Sequence, residues 1–349
     1  MDRFRVALSG DFVKPSGAPA FPDFDLSPLL DDDGVEVVYV DPVDGAMPAE
    51  GLEGFDALIL LIPQFNAASI PSDGRLGVVA RFGVGYDNVD LEACTKAGIA
   101  AVITPDGVRR PVAVSVITFI LALSQKLLLK DKMVRDGPAG WQRRADHMGM
   151  GLVGKTLGSL GIGNIGAEVY RLAAPFDMVH IAHDPFADKG VAESLNIELV
   201  DLETLFARSD FLSVSCPLND ETRGIVNAER LSLMKPTAYV INTARGPIID
   251  QAALTEALTN GTIAGAGLDV FEAEPTAADD PLAGLDNVIL SPHALCWTDQ
   301  CFAGNGAADV RAVSAYRRGE APVGVVNTDV LGTDRWRERL SAMAARAGA

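Results

Sequence analysis

The residue types best suited to acid–base chemistry stand in the last third of the chain. Arg245 directly follows an apolar segment, where a solvated arginine is unexpected, and His293 follows another. A guanidinium can clamp a carboxylate and polarise an adjacent carbonyl, and an imidazole can give or take a proton near neutral pH. A carboxylate beside the histidine would favour its protonated form, and Glu272 and Glu274 are both candidates. These residues predict a site that binds a small carboxylate and moves a proton. The alternatives are a surface salt bridge and a structural histidine.

Three glycines earlier in the chain have the spacing of a dinucleotide-binding loop. Gly161, Gly163 and Gly166 form G-x-G-x-x-G between a predicted strand, Thr156–Leu160, and a helical run at 167–176. The first glycine permits a tight turn, the second lets the backbone approach a pyrophosphate, and the third allows close packing of helix and strand. Amides at the helix N-terminus would face the phosphate charge. This context favours a cofactor loop over a simple turn.

Asp184 ends the next predicted strand, at 178–182. A carboxylate at that position accepts hydrogen bonds from the ribose hydroxyls and repels a 2′-phosphate, so it favours NAD. A nicotinamide site beside an arginine, an acid and a histidine indicates hydride transfer to a 2-keto acid. The alkoxide formed in that reaction needs a proton, which a protonated imidazole can supply.

The length and the order of elements indicate the fold class. A chain of 349 residues predicts two domains, and alternating strands and helices predict doubly wound parallel sheets of the α/β class. Several predicted strands end in polar or turn-forming residues, and in such sheets the ligand crevice lies beyond the carboxyl ends of the strands. One rim is therefore predicted to carry Cys216, Thr243, Arg245, Asp269 and His293.

Composition excludes several classes of partner. A formal charge of −18 argues against nucleic acid or an anionic membrane surface. The four cysteines form no C-x-x-C pair and the four histidines no H-x-x-x-H, so we expect no metal site and reduced thiols in the cytoplasm. His147, His180 and His183 are weaker catalytic candidates than His293. The N-terminus lacks the apolar stretch of a signal peptide, and the longest apolar run, 112–123, predicts a core helix.

Several segments admit two interpretations. Gly83 and Gly85 could serve a turn, or could leave backbone amides bare as a nest for a small anion. If a helix starts soon after His293, Trp297 stands one turn later and reaches the substrate; otherwise Trp297 is a packing residue. We further expect a hinge at 104–110, a polar connector or arm rather than a strand at 131–154, and a strand-like segment at 323–327.

Six blocks together resemble the D-isomer-specific 2-hydroxyacid dehydrogenases, in that family's order: 81–90, 154–166, 216–227, 242–250, 267–275 and 291–293. The resemblance implies two Rossmann-like doubly wound parallel-sheet domains with the active site in the cleft between them, and a homodimer. It implies a substrate-binding domain formed by 1–108 and 300–349, and an NAD-binding domain at 109–299.

The resemblance also implies roles for single residues. Arg245 would bind substrate, Glu274 rather than Glu272 would pair with His293, and the amides of Val84 and Gly85 would hold the substrate carboxylate. NAD would contact the following residues, with Asp269 near the carboxamide: Gly161, Gly163, Asn164, Ile165, Gly166, Asp184, Cys216, Pro217, Thr222, Thr243, Ala244 and Asp269.

Two departures from the family pattern stand out. Family members often have Ala-Glu where this chain has Ala113 and Val114, which bears on the hinge and the cofactor rim. Small residues usually follow the catalytic histidine, whereas larger ones, including Trp297, follow it here, which bears on substrate choice.

The sequence therefore predicts an NAD-dependent enzyme interconverting a 2-keto acid and a D-2-hydroxy acid, with glyoxylate, hydroxypyruvate or a sugar acid as the substrate class. One alternative is an NAD(H)-sensing interaction protein like the corepressors that resemble this family. Another is a phosphite- or formate-type dehydrogenase on the same scaffold, although the formate group typically has Gln where Glu274 stands.

Overall fold

The structure, a computed structural model, describes residues 3–348. The chain divides into two compact units. Unit 1 comprises the described residues up to Val108 together with those from Trp297 onward, and unit 2 is Arg109–Cys296. Each unit is built on its own parallel sheet, so the α/β class and the two Rossmann-like units predicted from the sequence are confirmed.

Unit 1 contains a five-stranded parallel sheet in the order β2-β1-β3-β4-β5. Its short strands are rich in Val, Ala, Leu and Ile, and the central strand β3 is fully buried, as expected for a parallel sheet covered on both faces. The strands are β1 Phe4–Ser9, β2 Val35–Val40, β3 Ala57–Leu60, β4 Val78–Arg81 and β5 Ala100–Ile103. The helices of this unit are α1 Ser27–Leu30, α2 Leu91–Ala97, α11 Asp299–Arg317 and α12 Asp334–Ala347.

Unit 2 contains a seven-stranded parallel sheet in the order β12-β11-β10-β9-β6-β7-β8. Its strands are β6 Thr156–Leu160, β7 Val179–His183, β8 Ile197–Leu199, β9 Phe211–Val214, β10 Tyr239–Asn242, β11 Gly265–Leu268 and β12 Val288–Leu290. Its helices are α4 Leu127–Arg135, α5 Pro138–Gln142, α6 Asn164–Ala173, α7 Lys189–Ser194, α8 Leu202–Arg208, α9 Ala228–Leu233 and α10 Gln251–Thr259.

The core of unit 2 lies on both faces of this sheet. Successive strand residues point to opposite faces, and Phe211 belongs to one buried cluster whereas Leu212 belongs to the other. In β10, Val240 and Ile241 divide in the same way. The strand order reverses between β6 and β9, and such a switch point is where doubly wound sheets bind ligands, beyond the carboxyl ends of the strands.

Helix α3, Pro105–Ser124, joins unit 1 to unit 2 along the chain. The boundary between the units, after Val108, lies inside the segment 104–110 that was predicted as a hinge. The backbone there is already helical, because α3 begins at Pro105, a position that tolerates proline. Within residues 3–348, α3 is the one helix that is long and apolar enough to cross a bilayer, but 56% of its most apolar window is buried. Phe119 packs so closely on β11 that a Cβ at Gly267 would lie 2.6 Å from its Cγ. The core-helix prediction for 112–123 is therefore confirmed.

The structure also bears on two other local predictions. Residues 131–154, all of them described, contain no strand, as predicted for a connector or arm, but they include most of α4 and all of α5, two largely exposed helices that the sequence analysis did not predict. Residues 323–327 form no strand, and Val325 makes only an isolated antiparallel bridge to Val102. Gly324, at φ +91°, turns the backbone away from an extended path at that point.

Candidate active site

The glycine loop between β6 and α6 has the geometry that its spacing predicts. Gly161 adopts φ +96°, and a Cβ there would lie 3.0 Å from the Ser215 carbonyl oxygen, so a tight turn without a side chain is required. A Cβ at Gly166 would lie 2.4 Å from the Gly161 carbonyl oxygen, so the helix packs closely on the loop. A Cβ at Gly163 would meet nothing within 4 Å. The second glycine thus leaves open the space that a pyrophosphate would occupy.

Asp184 is tied directly to this loop. Its Oδ2 accepts a hydrogen bond from the Ile162 amide at 2.9 Å, and its Oδ1 accepts one from the Phe186 amide at 2.9 Å. Asn164 is exposed in the first turn of α6, and Ile165 beside it is half-buried. The carboxylate, the loop and the helix N-terminus therefore form one continuous cradle suited to the ribose and phosphates of a dinucleotide.

The ends of β9 and β10 continue the same rim. Burial raises the pKa of the Cys216 thiol to about 12, so this side chain is a neutral contact rather than a nucleophile. Beyond it, the Thr222 hydroxyl donates to the Pro217 carbonyl oxygen at 2.6 Å and closes a turn.

Asn242, the last residue of β10, shapes the turn that carries Thr243 and Ala244. Its Oδ1 accepts from the Ala244 amide and its Nδ2 donates to the Arg245 carbonyl oxygen, both at 3.0 Å. Asn242 is buried, and sequence reasoning missed its role. The available signal was an amide side chain as the last residue of an otherwise apolar strand.

Gly246, the residue after Arg245, allows the turn that carries Arg245 to lie close to the loop that carries Glu274. A Cβ at Gly246 would lie 1.8 Å from the Phe271 carbonyl oxygen, so only glycine lets this turn approach the loop after β11. Arg245 is half-buried, and its Nη1 donates to the Ala244 carbonyl oxygen at 2.7 Å. Its guanidinium charge acts on Glu274, whose carboxylate belongs to that neighbouring loop.

His293 and Glu274 form a hydrogen-bonded pair. The Nδ1 of His293 lies 2.7 Å from Oε2 of Glu274, and Oε1 accepts from the Phe271 amide at 2.9 Å. Burial alone would raise the pKa of Glu274, but the hydrogen bonds from His293 and Phe271, with the charges of His293 and Arg245, hold that pKa below its usual value. The Glu272 side chain is exposed, and its amide donates to Gln251 Oε1 at 3.0 Å. The carboxylate bonded to the histidine is therefore that of Glu274.

The backbone at His293 is held in an unusual conformation. Its φ is +53°, a left-handed value that a histidine adopts only when its surroundings impose it. The buried Asp269 supplies that constraint, because its Oδ1 accepts from the amides of Ala294 and Leu295 at 3.0 and 3.1 Å. Asp269 thus fixes the loop that carries His293.

The predicted anion nest lies in unit 1, directly after β4. Gly83 adopts φ +120°. Within residues 3–348 the amides of Val84 and Gly85 donate no hydrogen bond. Two adjacent bare amides on a half-buried loop are suited to binding a carboxylate.

Trp297 does not stand one helical turn after His293. Helix α11 begins only at Asp299, and the intervening residues form turns, so the premise of that prediction is wrong. Trp297 is 41% exposed and meets Phe21 and Phe302 edge-on, with ring centroids 5.2 and 5.5 Å away. Phe302 also contacts Phe82, the residue before the nest, so Trp297 is linked to the nest through a shared aromatic cluster.

The predicted residues thus fall into two groups. Unit 2 holds the glycine loop, Asp184 and the Arg245, Glu274 and His293 set, whereas unit 1 holds the Val84–Gly85 amides and Trp297. Among residues 3–348, no group of three or more His, Cys, Asp or Glu side chains converges as a metal site.

Comparison with known proteins identifies the family. Residues 117–294, which lie within unit 2, match the family model described as "D-isomer specific 2-hydroxyacid dehydrogenase, NAD binding domain". The chain belongs to this family. It is an NAD-dependent 2-hydroxyacid dehydrogenase whose cofactor is a nicotinamide nucleotide, NAD, and the matched residues include the glycine loop of unit 2.

Individual relatives agree with this assignment. A glyoxylate reductase of Korarchaeum cryptofilum is 38% identical over 285 residues, which cover 81% of this chain and 86% of that protein. A D-3-phosphoglycerate dehydrogenase of Methanocaldococcus jannaschii is 39% identical over 297 residues, covering 84% of this chain and 56% of that protein. Among solved structures, an NADPH-dependent glyoxylate/hydroxypyruvate reductase of Sinorhizobium meliloti, in complex with NADP and malonate, is 29% identical with a TM-score of 0.79; the match covers 94% of this chain and 98% of that chain.

Proposed function

We propose that this dehydrogenase reduces a 2-keto acid to the D-2-hydroxy acid, with His293 as the proton donor and as the proton acceptor in the reverse direction. The observation that carries the proposal is the 2.7 Å contact between His293 Nδ1 and Glu274 Oε2, with the charge of Arg245 acting on the same carboxylate. These three groups supply a proton, a counter-charge and a carboxylate-binding fork in one place.

The protonation chemistry follows from which ring nitrogen is engaged. NADH, when bound, supplies the hydride. Because Nδ1 of His293 is bonded to Glu274, Nε2 is the atom left to donate a proton to the oxygen of the substrate carbonyl. The Glu274 carboxylate favours the imidazolium form and fixes the tautomer after the proton has left. Arg245 polarises the carbonyl and binds the substrate carboxylate.

We propose that the bare amides of Val84 and Gly85 also bind the substrate carboxylate. The substrate class is glyoxylate, hydroxypyruvate or a related sugar acid, in line with the names of the relatives called glyoxylate reductase and glyoxylate/hydroxypyruvate reductase. Trp297 is proposed to limit the size of the substrate's side chain, since it is part-exposed in the aromatic cluster next to these amides.

Cofactor choice is assigned to Asp184. Its two oxygens accept hydrogen bonds from the amides of Ile162 and Phe186, so the carboxylate is held beside the glycine loop, where the proposal puts the ribose. Pro185 and Phe186 follow it, and neither could compensate that charge. NAD is therefore proposed to be preferred over NADP.

We infer a homodimer that acts on small molecules, binds neither nucleic acid nor membrane, and works in the cytoplasm. Support comes from unit 2, where α4, α5 and the segment after them expose Leu127, Leu128, Val134, Trp141 and Met148. A second copy could cover this apolar surface, and the sedimentation mass of the purified chain tests it. The lack of any C-x-x-C pair among the four cysteines of the sequence suits a reducing compartment, which cell fractionation tests.

The decisive experiment is NADH oxidation with a panel of 2-keto acids, followed by chiral analysis of the product. The proposal expects turnover of at least one small 2-keto acid and a D-configured product. No turnover with any of them, together with intact NADH binding, would instead favour the ligand-sensing alternative.

A further inference from the structure

The loop at 83–85 is held by two buried polar side chains from other elements of unit 1. Thr104 directly follows β5, which pairs with β4, so it stands beside Gly83. Asn305 belongs to α11. We propose that Thr104 and Asn305, hereafter the Thr104–Asn305 relay, are positioning residues that set the carboxylate-binding amides of Val84 and Gly85. Because those amides are assigned to the substrate carboxylate only by the proposed function, the relay's effect on binding rests on that proposal.

The first link of the relay fixes both polar groups of the Gly83 backbone. The Gly83 amide donates to Thr104 Oγ1 at 2.7 Å, and the Thr104 amide donates to the Gly83 carbonyl oxygen at 2.9 Å. Gly83 has φ +120°, a backbone conformation that would strain any residue with a side chain. The two hydrogen bonds to Thr104 therefore hold the residue before the bare amides in this conformation.

The second link fixes the threonine hydroxyl. Since Thr104 Oγ1 accepts from Gly83, its own hydrogen is free to donate, and Asn305 Oδ1 accepts it at 2.9 Å. The other end of the Asn305 amide, Nδ2, lies 3.6 Å from Cys301 Sγ. Thr104 is 1% exposed and Asn305 2%, so water cannot replace either partner. The chain of hydrogen bonds runs in one direction, from loop to threonine to helix.

The third element is a close approach of two helices that leaves Asn305 no freedom. A Cβ at Gly107, in the first turn of α3, would lie 2.1 Å from Asn305 Oδ1, and a Cβ at Gly304 would lie 3.0 Å from the Gly107 Cα. Two glycines thus let α11 come near enough for Asn305 to reach Thr104. Through this packing α11 holds the loop at 83–85 in place. The relay is therefore proposed to position the amides of Val84 and Gly85 without contacting the substrate itself.

The chain offers a matched control. Thr95 and Asn327 form a second threonine–asparagine pair in unit 1, in which Asn327 Nδ2 donates to Thr95 Oγ1 at 3.0 Å. Thr95 belongs to α2, and its hydroxyl is bonded to Asn327 and to the Leu91 carbonyl oxygen rather than to the loop at 83–85. Thr95→Val therefore removes a similar hydrogen bond without disturbing the nest.

The test is steady-state kinetics of Thr104→Val, Thr104→Ser, Asn305→Ala and Thr95→Val, with thermal melting of each. We expect Thr104→Val to raise the KM for the 2-keto acid about tenfold, because the Gly83 amide and Asn305 Oδ1 both lose their partner. Its KM for NADH should stay within about twofold of the wild-type value and its kcat within a few-fold. Thr104→Ser keeps the hydroxyl and should restore the KM, and Asn305→Ala should raise it less than Thr104→Val.

Two outcomes would overturn the relay. One is an unchanged keto-acid KM in Thr104→Val; if that variant does not fold, an unchanged KM in Asn305→Ala counts equally. The other is an equal rise in Thr95→Val, which would mean that any loss of stability in unit 1 weakens binding. Failure of the proposed function looks different, because the wild-type protein would then reduce no 2-keto acid at all, and the relay would fall with it.

Discussion

The contact between Glu274 and His293 makes a quantitative prediction about the rate of keto-acid reduction. In Glu274→Gln the amide can keep a hydrogen bond to His293 Nδ1, but the negative charge 2.7 Å from that nitrogen is gone. Two unit charges 4 Å apart interact by about 4 kcal/mol at an effective dielectric constant of 20. The two side chains are 43% and 36% exposed, so solvent screening reduces this to about 1–2 kcal/mol. The imidazolium form should lose that much stabilisation.

The expected result is a loss of kcat/KM for keto-acid reduction, measured at one fixed pH. Since about 1.4 kcal/mol off the stabilisation of the transition state is a factor of ten in rate, kcat/KM in Glu274→Gln should fall by about tenfold. Glu272→Gln is the control, because Glu272 is an exposed acid two residues away. An unchanged kcat/KM in Glu274→Gln, or an equal loss in Glu272→Gln, would refute the pairing.

Three further predictions concern Asp184, Asp309 and Trp297. The kcat/KM for NADH should exceed that for NADPH, because Asp184 opposes a 2′-phosphate; a preference for NADPH would contradict the role given to Asp184. Asp309 is fully buried in α11 and neither carboxylate oxygen has a hydrogen-bond partner among the described residues; burial raises its pKa well above 3.8, partly offset by the charge of Arg81. The stability that neutral Asp309 contributes is therefore fully present below about pH 4 and is lost as the pH rises through the raised pKa. In urea unfolding from pH 4 to 8, Asp309→Asn should therefore gain stability relative to the wild type as the pH rises. A difference in unfolding free energy that stays constant with pH would refute this. Trp297→Ala should raise activity on branched or aromatic 2-keto acids relative to glyoxylate and, through two lost aromatic contacts, lower the melting temperature; an unchanged activity ratio would leave Trp297 with packing alone.

The cofactor loop could be predicted from the sequence because its constraints are local. The turn at Gly161, the open side of Gly163 and the close packing at Gly166 each depend on residues within one strand–turn–helix unit. The parallel sheets could be predicted equally well, since buried strands of β-branched and small residues alternate with helices along the chain.

The choice between Glu272 and Glu274 could not be derived from residue types. It depends on how closely two loops approach each other, which Gly246 controls through its contact with the Phe271 carbonyl. The family resemblance implied that Glu274 is the partner of His293, a choice that composition left open. In the structure the carboxylate that contacts His293 is that of Glu274. The left-handed backbone at His293 and its support from Asp269 are likewise tertiary features without a local signal.

Two misses have different causes. The short helices α4 and α5 expose most of their surface, so apolar periodicity, the main sequence signal for a helix, is weak in them. The helix expected soon after His293 starts only at Asp299, where Thr298 caps it by accepting from the Cys301 amide at 3.2 Å. A threonine at this position predicts the N-terminus of a helix, and it places Trp297 before the helix rather than in it.

The central claim is that His293 donates the proton in NADH-dependent reduction of a 2-keto acid. The most direct measurement compares kcat for keto-acid reduction, and NADH affinity by fluorescence, in wild type and His293→Ala. The proposed mechanism predicts a kcat lower by a factor on the order of 10²–10⁴, with NADH binding largely retained. A His293→Ala enzyme that reduces the keto acid at the wild-type rate would contradict it.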